Sequence, residues 1–254
     1  KQRSEPLRGH HAEVTDVAFC PDGKFIVSAS SDTTLLLWNL DDKQQSAPFC
    51  AHDGQVNAIA ISGSGENIYI VSGGNDGYLV LWDRHGNPRN KFSGDDGPIK
   101  AIAFSPDGQF VMSGAANGIL RRWNLEGKQQ GDPFVGHQNA VTRIICLDSN
   151  TVLSASMDGT LRLWSLEGAA LGEPLRGHKG AVSAASLSSD GETIVSGGVD
   201  GTIRTWLGGN WRTWLKVACN RLRDHPVFNP PTSELASKAL QSCQHHVSNG
   251  SESP

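Results

Sequence analysis

The sequence predicts an all-β protein built from five similar, strand-rich units, and three observations support this fold class. Five tryptophans recur at intervals of 44, 41, 41 and 42 residues, which indicates a structural repeat. The 29 glycines follow no collagen-like period and are typical of many tight turns. Short apolar and β-branched runs, for example residues 14–19 and 25–29, lie between those turns and predict strands.

Each unit repeats five marker residues at the same spacing. The recurring tryptophans are Trp38, Trp82, Trp123, Trp164 and Trp206. An acidic or amide residue stands six positions before each of them: Asp32, Asp76, Asn117, Asp158 and Asp200. A serine stands four positions before that: Ser28, Ser72, Ser113, Ser154 and Ser196. Further upstream comes a histidine, or an aspartate in the third unit: His10, His52, Asp95, His137 and His178. A β-branched residue follows four positions later: Val14, Val56, Ile99, Val141 and Val182. Five aligned copies of this spacing exclude a chance pattern.

The residues between these markers predict four strands in each unit. Turn residues such as Pro21-Asp22-Gly23 separate the first strands. Shorter stretches, at residues 47–49 and 131–134, predict a fourth strand, and their prolines suit an outer edge of the sheet.

These motifs resemble the WD-repeat family over residues 5 to about 207. The matching elements are Gly9-His10, Gly136-His137, Gly177-His178, the turn at residues 105–108, the stretch at residues 72–77 and Leu81-Trp82-Asp83. Only the second unit ends in a literal Trp-Asp pair. The resemblance implies a β-propeller of four-stranded blades. The expected propeller region is 1–207, with repeats at about 5–43, 47–88, 90–128, 132–169 and 173–207.

The resemblance also implies how many blades to expect. Rings of this family most often have seven blades, so five predict part of a larger ring with earlier blades upstream. A closed five-blade ring is the alternative.

In this family the repeated polar residues form a hydrogen-bonded chain. Carried onto the first unit, Trp38 donates to Ser28, Ser28 to His10, and His10 to Asp32. Such a chain fixes strand register because each buried donor finds an acceptor. Ser, His and Asp in contact also suggest a hydrolase, but the set recurs in nearly every unit, which favours a structural role. We therefore predict no catalytic residues. We also predict no cofactor and no metal ligands, because no P-loop, dinucleotide fingerprint or calcium loop occurs, and no second pair of ligands completes a zinc site with Cys243, His245 and His246.

The third unit departs from this pattern. Asp95 replaces the histidine and Asn117 replaces the aspartate, while Ser113 and Trp123 remain. Two aspartates at these positions would bring two carboxylates together. We expect a modified network in this unit.

The resemblance places partner contacts beside the first strand and just before the turn aspartate of each unit. We call these positions the predicted rim: Glu13, Thr15, Ser31, Gln55, Asn57, Asn75, Lys100, Ala116, Thr142, Met157, Ser183 and Val199. The set lacks the Trp, Tyr and Arg that anchor tight interfaces. It predicts weak or multivalent binding, or a partner that supplies the anchors. An ordinary solvated rim is the alternative.

Composition limits the functional classes. A net charge of -4 and a pI of about 6.1 argue against a dedicated nucleic-acid binder. Five cysteines without a C-x-x-C pair predict reduced thiols and a cytoplasmic protein. No apolar run reaches the roughly 18 residues that a membrane span needs.

The residues after the last repeat predict a helical extension at 208–248 and a disordered tail at 249–254. Apolar residues from Trp211 to Leu222 fall at helical spacing, and residues 233–247 predict a second helix. The stretch at 211–228 resembles the extension that closes many cyanobacterial WD-repeat proteins. It either caps the propeller or binds a partner.

The predicted function is therefore a protein-interaction scaffold or sensor module. The resemblance implies the C-terminal region of a larger bacterial signalling protein, with further domains upstream in the same chain. The expected partners are proteins or peptides, not nucleic acids or membranes. A structural spacer and an enzyme that uses the propeller channel are the alternatives.

Overall fold

The computed structural model describes residues 6–40, 48–50, 52–65, 67–94 and 96–208. These residues form 18 β-strands, and no helix occurs within these ranges, so the all-β prediction is confirmed. The predicted helical extension, apart from Gly208, and the predicted tail lie outside the described residues.

The strands form five sheets in which every strand pairs with the next one along the chain. Sheet 1 contains β1 (Val14–Phe19), β2 (Phe25–Ser30), β3 (Thr34–Asn39) and β4 (Phe49–Cys50). Sheet 2 contains β5 (Val56–Ser62), β6 (Tyr69–Gly74), β7 (Tyr78–Asp83) and β8 (Pro88–Ser93). Sheet 3 contains β9 (Ile99–Phe104), β10 (Phe110–Ala115) and β11 (Leu120–Asn124). Sheet 4 contains β12 (Val141–Cys146), β13 (Thr151–Ser156), β14 (Thr160–Ser165) and β15 (Leu175–Arg176). Sheet 5 contains β16 (Val182–Leu187), β17 (Thr193–Gly198) and β18 (Ile203–Leu207).

Sheets 3 and 5 each have three strands where four were predicted, and in sheet 5 the residues after Gly208 lie outside the described part of the chain. The predicted strand at residues 131–134 is reduced to a single bridge between Leu120 and Phe134, with backbone hydrogen bonds of 3.1 and 2.8 Å. Gly131 has a φ of 74°, and Pro133 has no N–H to donate to the sheet. Gly172, with a φ of 84°, and Pro174 stand at the same places before β15 of sheet 4, so the two sheets differ after Phe134, where the pairing does not extend to Val135.

Apolar side chains fill the space between successive sheets. Three clusters of buried residues join sheets 1 and 2, sheets 2 and 3, and sheets 3 and 4. At each junction a phenylalanine beside the third strand packs on the tryptophan of the next sheet. The ring centroids lie 5.6, 5.2 and 5.9 Å apart in the pairs Phe49–Trp82, Phe92–Trp123 and Phe134–Trp164. These offset aromatic contacts fix neighbouring sheets against each other.

Two glycines permit this close packing. A Cβ atom on Gly73 would lie 2.5 Å from Cγ2 of Ile99 in the next sheet. A Cβ atom on Gly114 would lie 2.6 Å from Cγ1 of Val141. The first β-branched residue of each following sheet thus occupies the space that a side chain on the glycine would need.

One face of sheet 1 is exposed. Val14 and Val17 are 49% and 61% exposed, whereas the corresponding Val56 and Ile59 of sheet 2 are 0% and 6% exposed. Within the described residues, no sheet covers this face. Instead, Leu7, Val14, Val17 and Trp38 line an open cavity of about 350 Å³ on it.

The described residues divide into two compact units. The first comprises residues 6–185 and 196–204, and the second comprises residues 186–195 and 205–208. The part of the chain that the structure describes contains no helix able to cross a membrane. Cys20, Cys50 and Cys146 are free thiols, and burial raises the pKa of Cys146 to about 12.

Candidate functional site

The repeated polar residues of sheet 4 form a continuous hydrogen-bonded chain. Trp164 Nε1 donates to Ser154 Oγ at 2.8 Å, and His137 Nε2 lies 2.7 Å from the same oxygen. His137 Nδ1 lies 2.8 Å from Asp158 Oδ2. Because Ser154 already accepts from the indole, its own proton goes to His137 Nε2, and the imidazole then donates from Nδ1 to Asp158.

The same arrangement recurs in sheets 1 and 2, and its serine–histidine–aspartate part recurs in sheet 5. The indole-to-serine distances are 2.8 Å for Trp38–Ser28 and 2.9 Å for Trp82–Ser72. The histidine-to-serine distances are 2.7, 2.7 and 2.8 Å for His10–Ser28, His52–Ser72 and His178–Ser196. The histidine-to-aspartate distances are 3.0, 3.0 and 3.1 Å for His10–Asp32, His52–Asp76 and His178–Asp200. Trp206 lies in β18.

The aspartate of each hydrogen-bonded chain also accepts hydrogen bonds from nearby backbone N–H groups. Asp158 accepts hydrogen bonds from Gln138 N, Thr160 N and Thr160 Oγ1 at 3.0, 2.9 and 2.7 Å. Burial raises the pKa of Asp158, but its hydrogen bonds with Thr160, Gln138 and His137 outweigh that effect and lower the pKa to about 2. Burial also lowers the pKa of His137. The ionised aspartate therefore joins the turn between the second and third strands to the segment before the first strand.

This geometry does not suit a hydrolase. Ser154 is fully buried, and its hydroxyl oxygen lies between the Trp164 indole and the His137 ring. A nucleophile must reach its substrate, and no oxygen in this position can do so. The repeated chains stabilise the sheets.

Sheet 3 has Asp95 and Asn117 at the positions that histidine and aspartate occupy in the other sheets, and it also contains an ion pair between Arg121 and Asp96. Trp123 Nε1 still donates to Ser113 Oγ at 2.8 Å, and Asn117 Oδ1 accepts from Ile119 N at 3.0 Å. The guanidinium of Arg121 donates to both carboxylate oxygens of Asp96, through Nε to Oδ2 and through Nη2 to Oδ1 at 3.0 Å. The predicted Asp95 lies outside the described residues.

The Arg121–Asp96 pair was missed by the sequence analysis. Arg121 Nη1 also donates to Gln129 Oε1 at 2.5 Å, and the two charged side chains are 16% and 8% exposed. A Cβ atom on Gly94 would lie 2.4 Å from Cδ of Arg121, so the arginine packs where only glycine fits. The arginine alone is no signal for this pair, because Arg162 and Arg204 also stand two residues before Trp164 and Trp206 in units that keep their histidine.

The predicted rim lies at one end of the sheets, which we call the histidine end. It contains the segments that lead into each first strand and the turns between the second and third strands. In every sheet, the residue just before the turn aspartate, or before Asn117 in sheet 3, donates its backbone N–H to a backbone carbonyl just before the first strand. The pairs are Ser31–Glu13, Asn75–Gln55, Ala116–Pro98, Met157–Ala140 and Val199–Ala181, at 2.8 to 2.9 Å. This repeated bond fixes the backbone of the rim.

A β-bulge sets the direction of the rim side chains on the first strands. Pairing between the first and second strands is irregular at the second residue in sheets 1 to 4. The residues left without a pairing partner are Thr15, Asn57, Lys100 and Thr142. A bulge re-aims the side chain of the extra residue. The sequence analysis selected these positions but did not foresee the bulge.

Three of these four side chains connect one sheet to the next. Thr15 Oγ1 donates to Val56 O at 2.6 Å, Asn57 Nδ2 donates to Ile99 O at 2.7 Å, and Thr142 Oγ1 donates to Val182 O at 2.6 Å. Each acceptor is the first residue of the next sheet's first strand. Thr15 and Thr142 therefore have a structural task in addition to their place on the rim. Ser183, in sheet 5, donates within its own sheet to Gly197 O.

Lys100 is the exception among the four. Its ammonium donates back toward sheet 2, to Asn75 Oδ1 at 2.9 Å and Asn57 Oδ1 at 3.3 Å. Desolvation lowers the pKa of Lys100. Five rim residues are well exposed, namely Glu13, Asn75, Met157, Ser183 and Val199. The rim thus combines a polar, cationic part on sheets 2 and 3 with the apolar Met157 and Val199 on sheets 4 and 5.

No metal site accompanies the rim in the part of the chain that the structure describes. Within these residues, no group of three or more His, Cys, Asp or Glu side chains is arranged to hold a metal ion.

Five successive segments match the model of the family described as WD domain, G-beta repeat. They cover residues 1–39, 43–83, 86–124, 128–165 and 171–206, which is most of the chain. The chain belongs to the WD-repeat family. Its five sheets correspond to five blades, so we refer to blades 1 to 5 from here on.

Similar proteins include several whose names state different roles. Nuclear distribution protein PAC1-2 of Uncinocarpus reesii is 28% identical over 124 residues, covering 41% of this chain and 27% of that protein. Pre-mRNA-processing factor 19 of Caenorhabditis elegans is 30% identical over 112 residues, covering 42% and 22%. The guanine nucleotide-binding protein subunit beta of Arabidopsis thaliana is 29% identical over 113 residues, covering 41% and 30%. The matched part of this WD-repeat chain spans less than a third of each relative. The names of these relatives do not point to a common chemical reaction, which agrees with a family of interaction scaffolds.

Proposed function

We propose that this WD-repeat chain is a protein-interaction module that recognises extended peptide segments of its partners at the rim on the histidine end. The observation that carries the proposal is that the groups that fix the backbone are largely distinct from the side chains that vary along the rim. The hydrogen-bonded chains of histidine, serine and aspartate in blades 1, 2, 4 and 5, together with the rim amides of all five blades, fix the backbone, while side chains at the bulges and turns vary from blade to blade. A rigid scaffold with variable side chains at one end is the arrangement that recognition sites use.

The chemistry of the rim favours a peptide with both polar and apolar side chains. Met157 and Val199 are 50% and 69% exposed on blades 4 and 5. Methionine adapts its shape to different apolar surfaces, so this pair suits an aliphatic or aromatic side chain of a partner. Asn75 and Lys100, on blades 2 and 3, provide hydrogen-bond donors for the polar side chains.

Selection of binders from a random 12-residue peptide library tests this proposal. We expect the chain to enrich peptides, and we expect Met157→Asp and Val199→Asp to weaken their binding. Leu171→Asp is a matched control, because Leu171 is 41% exposed on blade 4 and its backbone N–H donates to Leu163 O, which places it beside β14 and outside the rim. Failure to enrich any peptide, or equal losses in the control and the rim variants, would overturn the proposal.

We further propose a cellular setting, the cytoplasm of a bacterium, where the module serves a larger signalling protein. The resemblance of residues 211–228 to the extension of cyanobacterial WD-repeat proteins supports this setting, as does the pattern of cysteines without C-x-x-C pairs. The similarity to a guanine nucleotide-binding protein subunit supports a signalling role. Capture of the native protein through a C-terminal tag, followed by measurement of its intact mass, tests whether the chain is part of a larger polypeptide.

A further inference from the structure

The amide groups around Lys100 leave a distinctive set of unused hydrogen-bond donors. Asn75 Oδ1 accepts from both Lys100 Nζ and Asn57 Nδ2, at 2.9 Å each. Asn57 Nδ2 uses its second hydrogen for Ile99 O at 2.7 Å, and Asn57 Oδ1 accepts from Lys100 at 3.3 Å. One N–H of Lys100 and both N–H groups of Asn75 therefore have no partner among the described residues.

The positive charge at this position also has no counter-ion among the residues that the structure describes. Lys100 is half-buried, and no described carboxylate lies within ion-pair distance of its ammonium. By contrast, Lys91 of blade 2 lies 3.9 Å from the carboxylates of both Asp53 and Asp76. A partly desolvated cation without a partner gains more from an incoming anion than a fully hydrated cation does.

Position 100 differs from its counterparts in the other blades in a way that matters for binding. Thr15, Asn57 and Thr142 hold a carbonyl oxygen of the next blade, so their donors are at least partly used. Lys100 occupies the same bulge position, makes no such bond, and is held in place by two amide oxygens. Its ammonium is therefore positioned by the protein before any ligand arrives, which reduces the entropy cost of binding.

We propose that Lys100 and Asn75 form a subsite for the carboxylate of an aspartate or glutamate side chain in the bound peptide. The subsite rests on the proposed function, because it lies on the same rim. A carboxylate has two oxygens that act only as acceptors, and the subsite offers only donors on adjacent groups. One oxygen accepts from Lys100 Nζ and the other from Asn75 Nδ2. Such charge-assisted bonds are the stronger kind in proteins.

Two variants and one control test the subsite with peptides from the same random library. Lys100→Met removes the charge. Asn75→Asp keeps the shape and the accepting oxygen for Lys100, but places the protein's own carboxylate beside the ammonium. Lys128→Met is the control, since Lys128 lies on blade 3 beyond the other end of β11 and its loss changes the net charge equally. Thermal unfolding of each variant shows whether it is folded.

We expect the wild-type chain to enrich peptides that share an Asp or Glu. Both Lys100→Met and Asn75→Asp should weaken their binding by about ten-fold or more, as should Glu→Gln or Asp→Asn in the peptide. Lys128→Met should bind like the wild type. Amidation of the peptide C-terminus distinguishes a side-chain carboxylate from a terminal one, and we expect no loss from it.

Four results would overturn parts of this scheme separately. Enriched peptides without a shared acidic residue, or unchanged binding by Lys100→Met, would overturn the subsite and leave the proposed function standing. A loss on amidation in place of a loss on Glu→Gln would overturn the side-chain assignment. The absence of any enriched peptide would overturn the proposed function, and the subsite with it.

Discussion

Thr15 Oγ1 donates a 2.6 Å hydrogen bond to the carbonyl oxygen of Val56, the first residue of the next blade's first strand. Thr142 makes the equivalent bond to Val182, also at 2.6 Å. We expect Thr15→Val and Thr142→Val, which keep the side-chain shape, each to lower the free energy of unfolding by about 1 kcal/mol. Urea unfolding measures this. Ser183→Ala is the control, because the hydroxyl of Ser183 is exposed and bonds within its own blade; an equal loss there would contradict the proposed link.

The buried ion pair of blade 3 gives a second prediction. Arg121→Met leaves the Asp96 carboxylate buried without its partner, and we expect a loss of about 3 kcal/mol in unfolding free energy. Asp96→Asn should cost a similar amount, and the double variant should lose less than the sum of the two. Arg89→Met is the matched control. Arg89 is 62% exposed and pairs with Asp83 at 3.3 Å, so its loss should be less than about 1 kcal/mol. Additive losses at positions 96 and 121 would show that the two side chains do not stabilise each other.

The lowered pKa of Asp158 predicts a pH dependence. The carboxyl has a pKa of about 2 in the folded chain against an ordinary value of 3.8, so the folded state favours the ionised form. Its contribution to stability is complete above about pH 4 and is lost as the pH falls toward about 2. We expect Asp158→Asn to cost about 2 kcal/mol at pH 7 and progressively less below pH 4. Urea unfolding at a series of pH values measures the difference. A constant difference from pH 7 to pH 2 would contradict the role given to the carboxylate.

The exposed face of blade 1 predicts an unequal tolerance to charge. Val17 is 61% exposed, whereas Ile59 and Ile144, at the same position in blades 2 and 4, are 6% and 3% exposed. We expect Val17→Asp to change the unfolding free energy by less than about 0.5 kcal/mol, and Ile59→Asp to cost more than about 3 kcal/mol. Thermal and urea unfolding compare the two. A large loss for Val17→Asp would indicate that another surface covers this face in solution.

Strand positions and registers were largely predictable from the sequence. One turn separates Ser28 from Trp38, so the sequence already places the two residues on adjacent strands of one sheet. In the structure, Ser28 lies opposite Leu36 and Trp38 lies opposite Ile26. The same spacing in the other units fixes the same pairing. Repetition makes the assignment secure, since an error in one unit would have to recur in all five.

Interactions that occur once per chain were not predictable in the same way. The Arg121–Asp96 pair joins residues 25 positions apart in one unit only, so no repeat reveals it. The bulge at Thr15 and its equivalents depends on backbone geometry that alternation of apolar and polar residues does not encode. In blade 3 the pairing of the fourth strand stops after the single Leu120–Phe134 bridge, although blade 4 has the same glycine and proline before its two-residue strand β15.

The side chain at position 100 can either bond to the next blade or bind a ligand, and lysine favours the ligand. Threonine or asparagine at the bulge of blades 1, 2 and 4 holds the following blade through a carbonyl oxygen, and Lys100 makes no such bond to Val141. At this position, the described residues therefore provide no side-chain hydrogen bond from blade 3 to blade 4, and the apolar cluster between the two blades remains. A threonine at this position would allow the hydrogen bond to Val141 O that Thr15 and Thr142 make to their acceptors, but it would remove the cation. One residue thus sets both how firmly two blades adhere and what the surface above them can attract.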